Sequence, residues 1–68
     1  MNIYKPERLI YTFEHGTYAV DVWKEETGWH TSATQVDAKS AYASFIMDEN
    51  KEKAINLAIE DVKKENNK

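Results

Sequence analysis

The stretch Thr17–Trp29, reading Thr-Tyr-Ala-Val-Asp-Val-Trp-Lys-Glu-Glu-Thr-Gly-Trp, constrains this chain more than any other. β-Branched and aromatic residues alternate with small or polar ones. A turn signal stands at each end, His15-Gly16 before and Glu26-Thr27-Gly28 after. Alternation of period two between turn signals predicts the central strand of an antiparallel meander. The preceding chain then pairs along its first edge, and the following chain returns along its second.

Arg8–Glu14 carries the same period. Leu9, Tyr11 and Phe13 share one face; Arg8, Ile10, Thr12 and Glu14 share the other. A two-residue loop at His15-Gly16 sets Phe13 opposite Tyr18, Tyr11 opposite Val20 and Leu9 opposite Val22, so apolar meets apolar. A three-residue loop, a type I turn closed by Gly28, sets Trp23 opposite Thr31, Val22 opposite Ser32 and Val20 opposite Thr34. In that register Trp23 and Trp29 share the face opposite Tyr11, Phe13, Tyr18 and Val20. Strand three, Trp29–Val36, is rich in Thr and reads as an edge.

Downstream, Asp37 reads as a helix N-cap, and Ala38, Ala41, Tyr42 and Phe45 fall at helical spacing. The competing reading makes 41–47 a fourth strand; alanine content and spacing favour the helix. Asp48-Glu49-Asn50 offers caps for a second helix, 51–65. Its stripe is Ala54, Ile55, Ala58, Ile59 and Val62, with Leu57 off it and Lys63-Lys64 near the C-terminal end. The expected fold is α+β: a three-stranded antiparallel β-meander followed by one or two C-terminal helices packed on one sheet face. The 68 residues form a single small domain, with 1–7 a lead-in, 8–36 the meander, 37–65 the helical part and 66–68 a frayed tail.

Composition narrows the chemistry. With no cysteine there are no disulfides, thiolate metal sites or cysteine nucleophiles. The two histidines, His15 and His30, do not supply a zinc ligand set. Ser32, Ser40 and Ser44 lack a nucleophile elbow, and two glycines build no phosphate-cradling loop. A non-catalytic protein without cofactor or metal is expected. No apolar run reaches the roughly 18 residues of a membrane span, which points to a soluble, cytoplasmic protein. Small size, acidity and missing catalytic equipment are the profile of phage- or plasmid-borne regulators and inhibitors.

Two binding modes fit what is left. In the first, a protein partner docks on the tryptophan-bearing sheet face. Trp23, Trp29 and Ile10 are its anchors, and Arg8, Asp21 and Lys24 its polar rim. The bland counterpart has the tryptophans closing a second small core, under Ile3-Tyr4 or in a homodimer. Asp21 is read as pairing with a neighbouring Lys or Arg, ahead of acting as a general acid. In the second mode, the aromatic surface stacks nucleic-acid bases. The formal charge of −3 disfavours that mode, because phosphate binding calls for a basic excess.

Overall fold

A computed structural model describes residues 5–39 and 41–67. Four strands and one helix follow in chain order: β1 (Glu7–Phe13), β2 (Gly16–Glu25), β3 (Gly28–Gln35), β4 (Ala43–Asp48) and α1 (Lys51–Asn66). The strands form one antiparallel sheet in sequence order. The class is therefore α+β, with one strand more than the meander expected. The lead-in contacts assigned to Ile3 and Tyr4 lie outside the described residues.

The first hairpin turns one residue earlier than the composition of its loop suggests. Its loop is Glu14-His15, and Gly16 is already in β2, facing Phe13. Tyr11 therefore meets Tyr18 and Leu9 meets Val20, two positions away from the expected pairing. A displacement of two leaves every side chain on its expected face. Gly16 is needed for space and backbone: its φ is +152°, and a Cβ there would run into the Gln35 side-chain amide.

The second hairpin changes more. Its loop is two residues, Glu26-Thr27, with Glu25 facing Gly28 and Trp23 facing His30. One residue fewer in the loop turns every β3 side chain to the opposite face. Trp29, Thr31 and Ala33 now lie with Val20 and Val22; His30, Ser32 and Thr34 lie with Asp21 and Trp23. Trp23 and Trp29 thus stand on opposite faces of the sheet. Gly28 does not close a bulge. It sits at φ +133°, where a Cβ would lie 2.9 Å from the backbone carbonyl oxygen of Asp48 on β4.

The expected first helix is absent. Asp37 caps no helix; its Oδ1 accepts from the Thr17 amide at 3.1 Å and from Gln35 Nε2 at 3.1 Å. Ala43–Asp48 is β4, and β3 is an interior strand instead of an edge. The physical reason lies in the second side of β3. The amide of Val36 donates to Thr17 O, which fixes the even-numbered residues of β3 toward β2. The odd residues Trp29, Thr31 and Ala33 then direct N–H and C=O outward beneath α1. Without β4 those buried groups would lack partners. Two side chains lock β4 to its neighbours. Ser44 Oγ donates to Ala58 O at 3.1 Å, and Thr31 Oγ1 donates to Ile46 O at 3.0 Å.

α1 matches its predicted span within a residue. Asn50 is the N-cap, its side chain accepting from the Lys53 amide at 2.9 Å, and Lys63 and Lys64 occupy the last turn. The predicted stripe, Ala54, Ile55, Ala58, Ile59 and Val62, is buried against Tyr18, Val20, Val22 and Ala33. Ala33, Ala54 and Ala58 are small, which lets helix and sheet approach closely. α1 lies over β3 and β4, reaches β2, and stops short of β1. On that uncovered flank Tyr11, Phe13 and His15 stack in a row, and His15 Nδ1 and the Tyr18 hydroxyl hydrogen-bond at 2.8 Å. Among the described residues no helix lies on the opposite face of the sheet.

Candidate protein-binding face of the sheet

Strand periodicity assigns the helix-free face. It takes Arg8, Ile10 and Thr12 from β1, and Thr17, Ala19, Asp21, Trp23 and Glu25 from β2. β3 adds His30, Ser32 and Thr34; β4 adds Ala43, Phe45 and Met47. Three large apolar side chains stand open on it: Phe45 is 76% exposed, Ile10 59% and Met47 52%. Phe45 is the most open because its neighbour across β3 is Ser32, too short to cover a ring.

Between these side chains lies a polar frame. Trp23 stacks on His30 with ring centres 5.9 Å apart and planes 19° from parallel. The Trp23 Nε1–H donates to Glu25 Oε2 at 2.6 Å, and His30 Nε2 shares a 2.7 Å hydrogen bond with Thr27 Oγ1. These bonds fix the indole and imidazole planes. With Phe45 and Met47 the two rings border a dent of about 130 Å³ that Thr31 and Ile46 also line. Across the sheet, Arg8 grips Asp21 with two bonds, Nε to Oδ1 at 2.8 Å and Nη2 to Oδ2 at 3.0 Å. The hydrogen bond from Arg8 holds the Asp21 carboxyl below the usual carboxylate range, against an opposing push from partial burial. Asp21 is the ion-pair member expected from its neighbours, and both its oxygens are occupied by one guanidinium.

The six side chains proposed as a site do not converge. Arg8, Ile10, Asp21 and Trp23 share the open face. Trp29 and Lys24 belong to the other, where Trp29 packs against the rim of the core. Lys24 Nζ stands 5.3 Å and Lys51 Nζ 5.2 Å from the Trp29 ring centre, and Lys51 also pairs with Glu7 at 3.0 Å. Trp29 is thus a lid on the end of the core, held under two ammonium groups. In its place the open face gains Phe45, Met47 and His30. Phe45 and Met47 were hidden by the helical spacing of Ala38–Phe45; reading Ala43–Met47 at period two exposes them.

Among the described residues no three His, Asp or Glu side chains come together as a metal site would require. The chain matches no family model, no curated protein and no solved structure.

Proposed function

We propose that this chain is a non-catalytic interaction protein that binds another protein through the open face of its sheet. One observation carries the reading: Ile10, Phe45 and Met47 are exposed on a face that already has a rigid aromatic, Trp23, held in place by His30 and Glu25. Apolar anchors around a fixed indole, with a satisfied polar pair at the side, are how a hot-spot patch is built. Regulation or inhibition of that partner follows from coverage of its surface and needs no chemistry from this chain.

The electrostatics favour protein over nucleic acid. Arg8 is the one Lys or Arg among the strand residues of this face, and Asp21 neutralises it. A phosphate backbone finds no free cation among those strand residues, and the whole chain is net acidic at −3.

The test is affinity capture with wild-type protein beside Phe45→Ser and Trp23→Ala. A partner held by wild type is expected to bind each variant roughly 30-fold more weakly or worse, as hot-spot truncations do. Binding is expected to change little between low and high salt. Undiminished binding by both variants, or a steep salt dependence, would remove the protein-docking reading of this face.

A further inference from the structure

We infer that the cleft between the end of β1 and the C-terminal half of α1 is a binding site for a free α-amino acid with a large apolar side chain. The cleft lies on the helix side of the sheet, so the inference is independent of the open-face reading.

The cleft exists because α1 stops short of β1. A dent of about 210 Å³ is left there, lined by Phe13, His15, Asn56, Ile59, Glu60 and Lys63. That space equals roughly seven waters at about 30 Å³ each, which suits a single amino acid and falls below the range of larger ligands. A second dent, lined by Tyr11, Glu52, Ile55 and Asn56, meets the first at Asn56 and extends the cleft along the strand.

The strand wall is aromatic and fixed. Phe13 stacks on His15 with ring centres 5.1 Å apart and planes 8° from parallel. His15 Nδ1 and the hydroxyl of buried Tyr18 hydrogen-bond at 2.8 Å, which anchors the imidazole from inside. Phe13 is 43% exposed, and buried Ile59 lines the helix side of the same dent. An apolar side chain placed between Phe13 and Ile59 leaves water and gains ring contact.

The helix wall carries opposite charges one turn apart. Glu60 and Lys63 stand at i and i+3, where Cβ atoms are about 5–6 Å apart. They do not pair with each other. The side chains of Asn56, Glu60 and Lys63 make no hydrogen bond or ion pair among the described residues. A carboxylate, an ammonium and an amide therefore line one dent with their bonding capacity unused within the chain. A few polar groups converging on apolar surface are what orients a small ligand. The charge of Glu60 is felt at the inner wall: burial first, then the fields of Asp37 and Glu60, hold the Tyr18 hydroxyl above its ordinary range. An α-amino acid answers both charges at once. Its ammonium meets Glu60, its carboxylate meets Lys63, and its side chain lies against Phe13 and Ile59. The Asn56 amide can donate to the carboxylate or accept from the ammonium. A simple cation or anion would meet one of the two charges, and an apolar molecule neither.

Titration of the isotope-labelled full chain with phenylalanine, followed by amide NMR shifts, tests this. Shifts at Phe13, His15, Asn56, Glu60 and Lys63 are expected to saturate with a Kd of about 0.1–10 mM, as fits a ligand of about a dozen non-hydrogen atoms. Glu60→Gln and Lys63→Met are each expected to weaken phenylalanine roughly three- to tenfold. Two blocked ligands assign its ends. N-acetylphenylalanine lacks the ammonium, so wild type should bind it roughly three- to tenfold more weakly, and Glu60→Gln should weaken it no further. Phenylalaninamide lacks the carboxylate and should show the same loss, with Lys63→Met adding nothing. Both substitutions place good helix formers on the helix surface, and the blocked ligands decide on wild type even where a variant fails to fold. Absence of shifts at these residues up to about 20 mM phenylalanine overturns the inference. So does a Kd that neither substitution and neither block changes.

Discussion

The two tryptophans show how much one residue of loop decides. A two-residue turn at Glu26-Thr27 sends Trp29 to the core rim under Lys24 and Lys51, while Trp23 stays on the open face against His30. Their costs on truncation should therefore differ. Trp29→Ala removes a ring packed on the core and is expected to lower stability by about 2 kcal/mol, while Trp23→Ala is expected to cost under about 1 kcal/mol. Urea unfolding of the two variants measures both, and the reverse order would restore the shared tryptophan face. Titration is also a residue-scale property. Hydrogen bonds from Arg8 to Asp21, and from the Thr17 amide and Gln35 to Asp37, hold both carboxyls below their ordinary range. Their stabilisation is present above the unfolded value near pH 4 and is lost as pH falls through the lower folded values. Burial raises Tyr18 and the bond to Asp61 raises Tyr42, so their contribution is present below about pH 10 and lost as pH rises through the folded values. Stability measured against pH should show a plateau with a loss at each end. Asp37→Asn, which keeps an acceptor oxygen but no titrating group, should flatten the acid limb. An unchanged acid slope would deny Asp37 that role.

At the scale of elements, β1, β2 and α1 were legible, and the segment between β3 and α1 was not. β1 and β2 alternate cleanly, and an error of two positions in their pairing is silent because it preserves faces. α1 has a stripe of five residues and caps at both ends. β4 carries apolar residues on both faces, with Ile46 beside Ser44 toward the helix, Tyr42 just ahead of the strand, and Ala43, Phe45 and Met47 away from the helix. A strand of six residues with Ile46 on one face and Ala43, Phe45 and Met47 on the other shows little alternation, and Ala38, Ala41, Tyr42 and Phe45 then imitate a helix. The facing of β3 is hidden for a related reason: Thr and Ser dominate it, so its sequence does not mark the buried face. Thr31 is buried with its hydroxyl on the Ile46 carbonyl, while Ser32 stands beside exposed Phe45. Thr31→Lys is accordingly expected to cost about 3 kcal/mol or more, and Ser32→Lys under about 1 kcal/mol, by thermal or chemical unfolding. Similar costs for the two would contradict the observed facing of β3.

At the scale of the molecule, one helix covers one face of a four-stranded sheet and leaves the other to be explained. The candidate site was half legible. Arg8, Ile10, Asp21 and Trp23 fall on one face, as the alternation of β1 and β2 dictates. Trp29 and Lys24 were lost to the turn, and Phe45 and Met47 were hidden in the misread strand. The central claim is that the apolar side chains of the open face are surplus to folding and available to a partner. The measurement that tests it most directly is urea unfolding, at low protein concentration, of the triple variant Ile10→Thr, Phe45→Thr and Met47→Thr. Threonine suits a strand, so solvent-facing positions should tolerate it. The account predicts an unfolding free energy within about 1 kcal/mol of wild type. A loss of about 3 kcal/mol or more would mean that the chain itself buries this face, and the docking surface proposed for it would not exist.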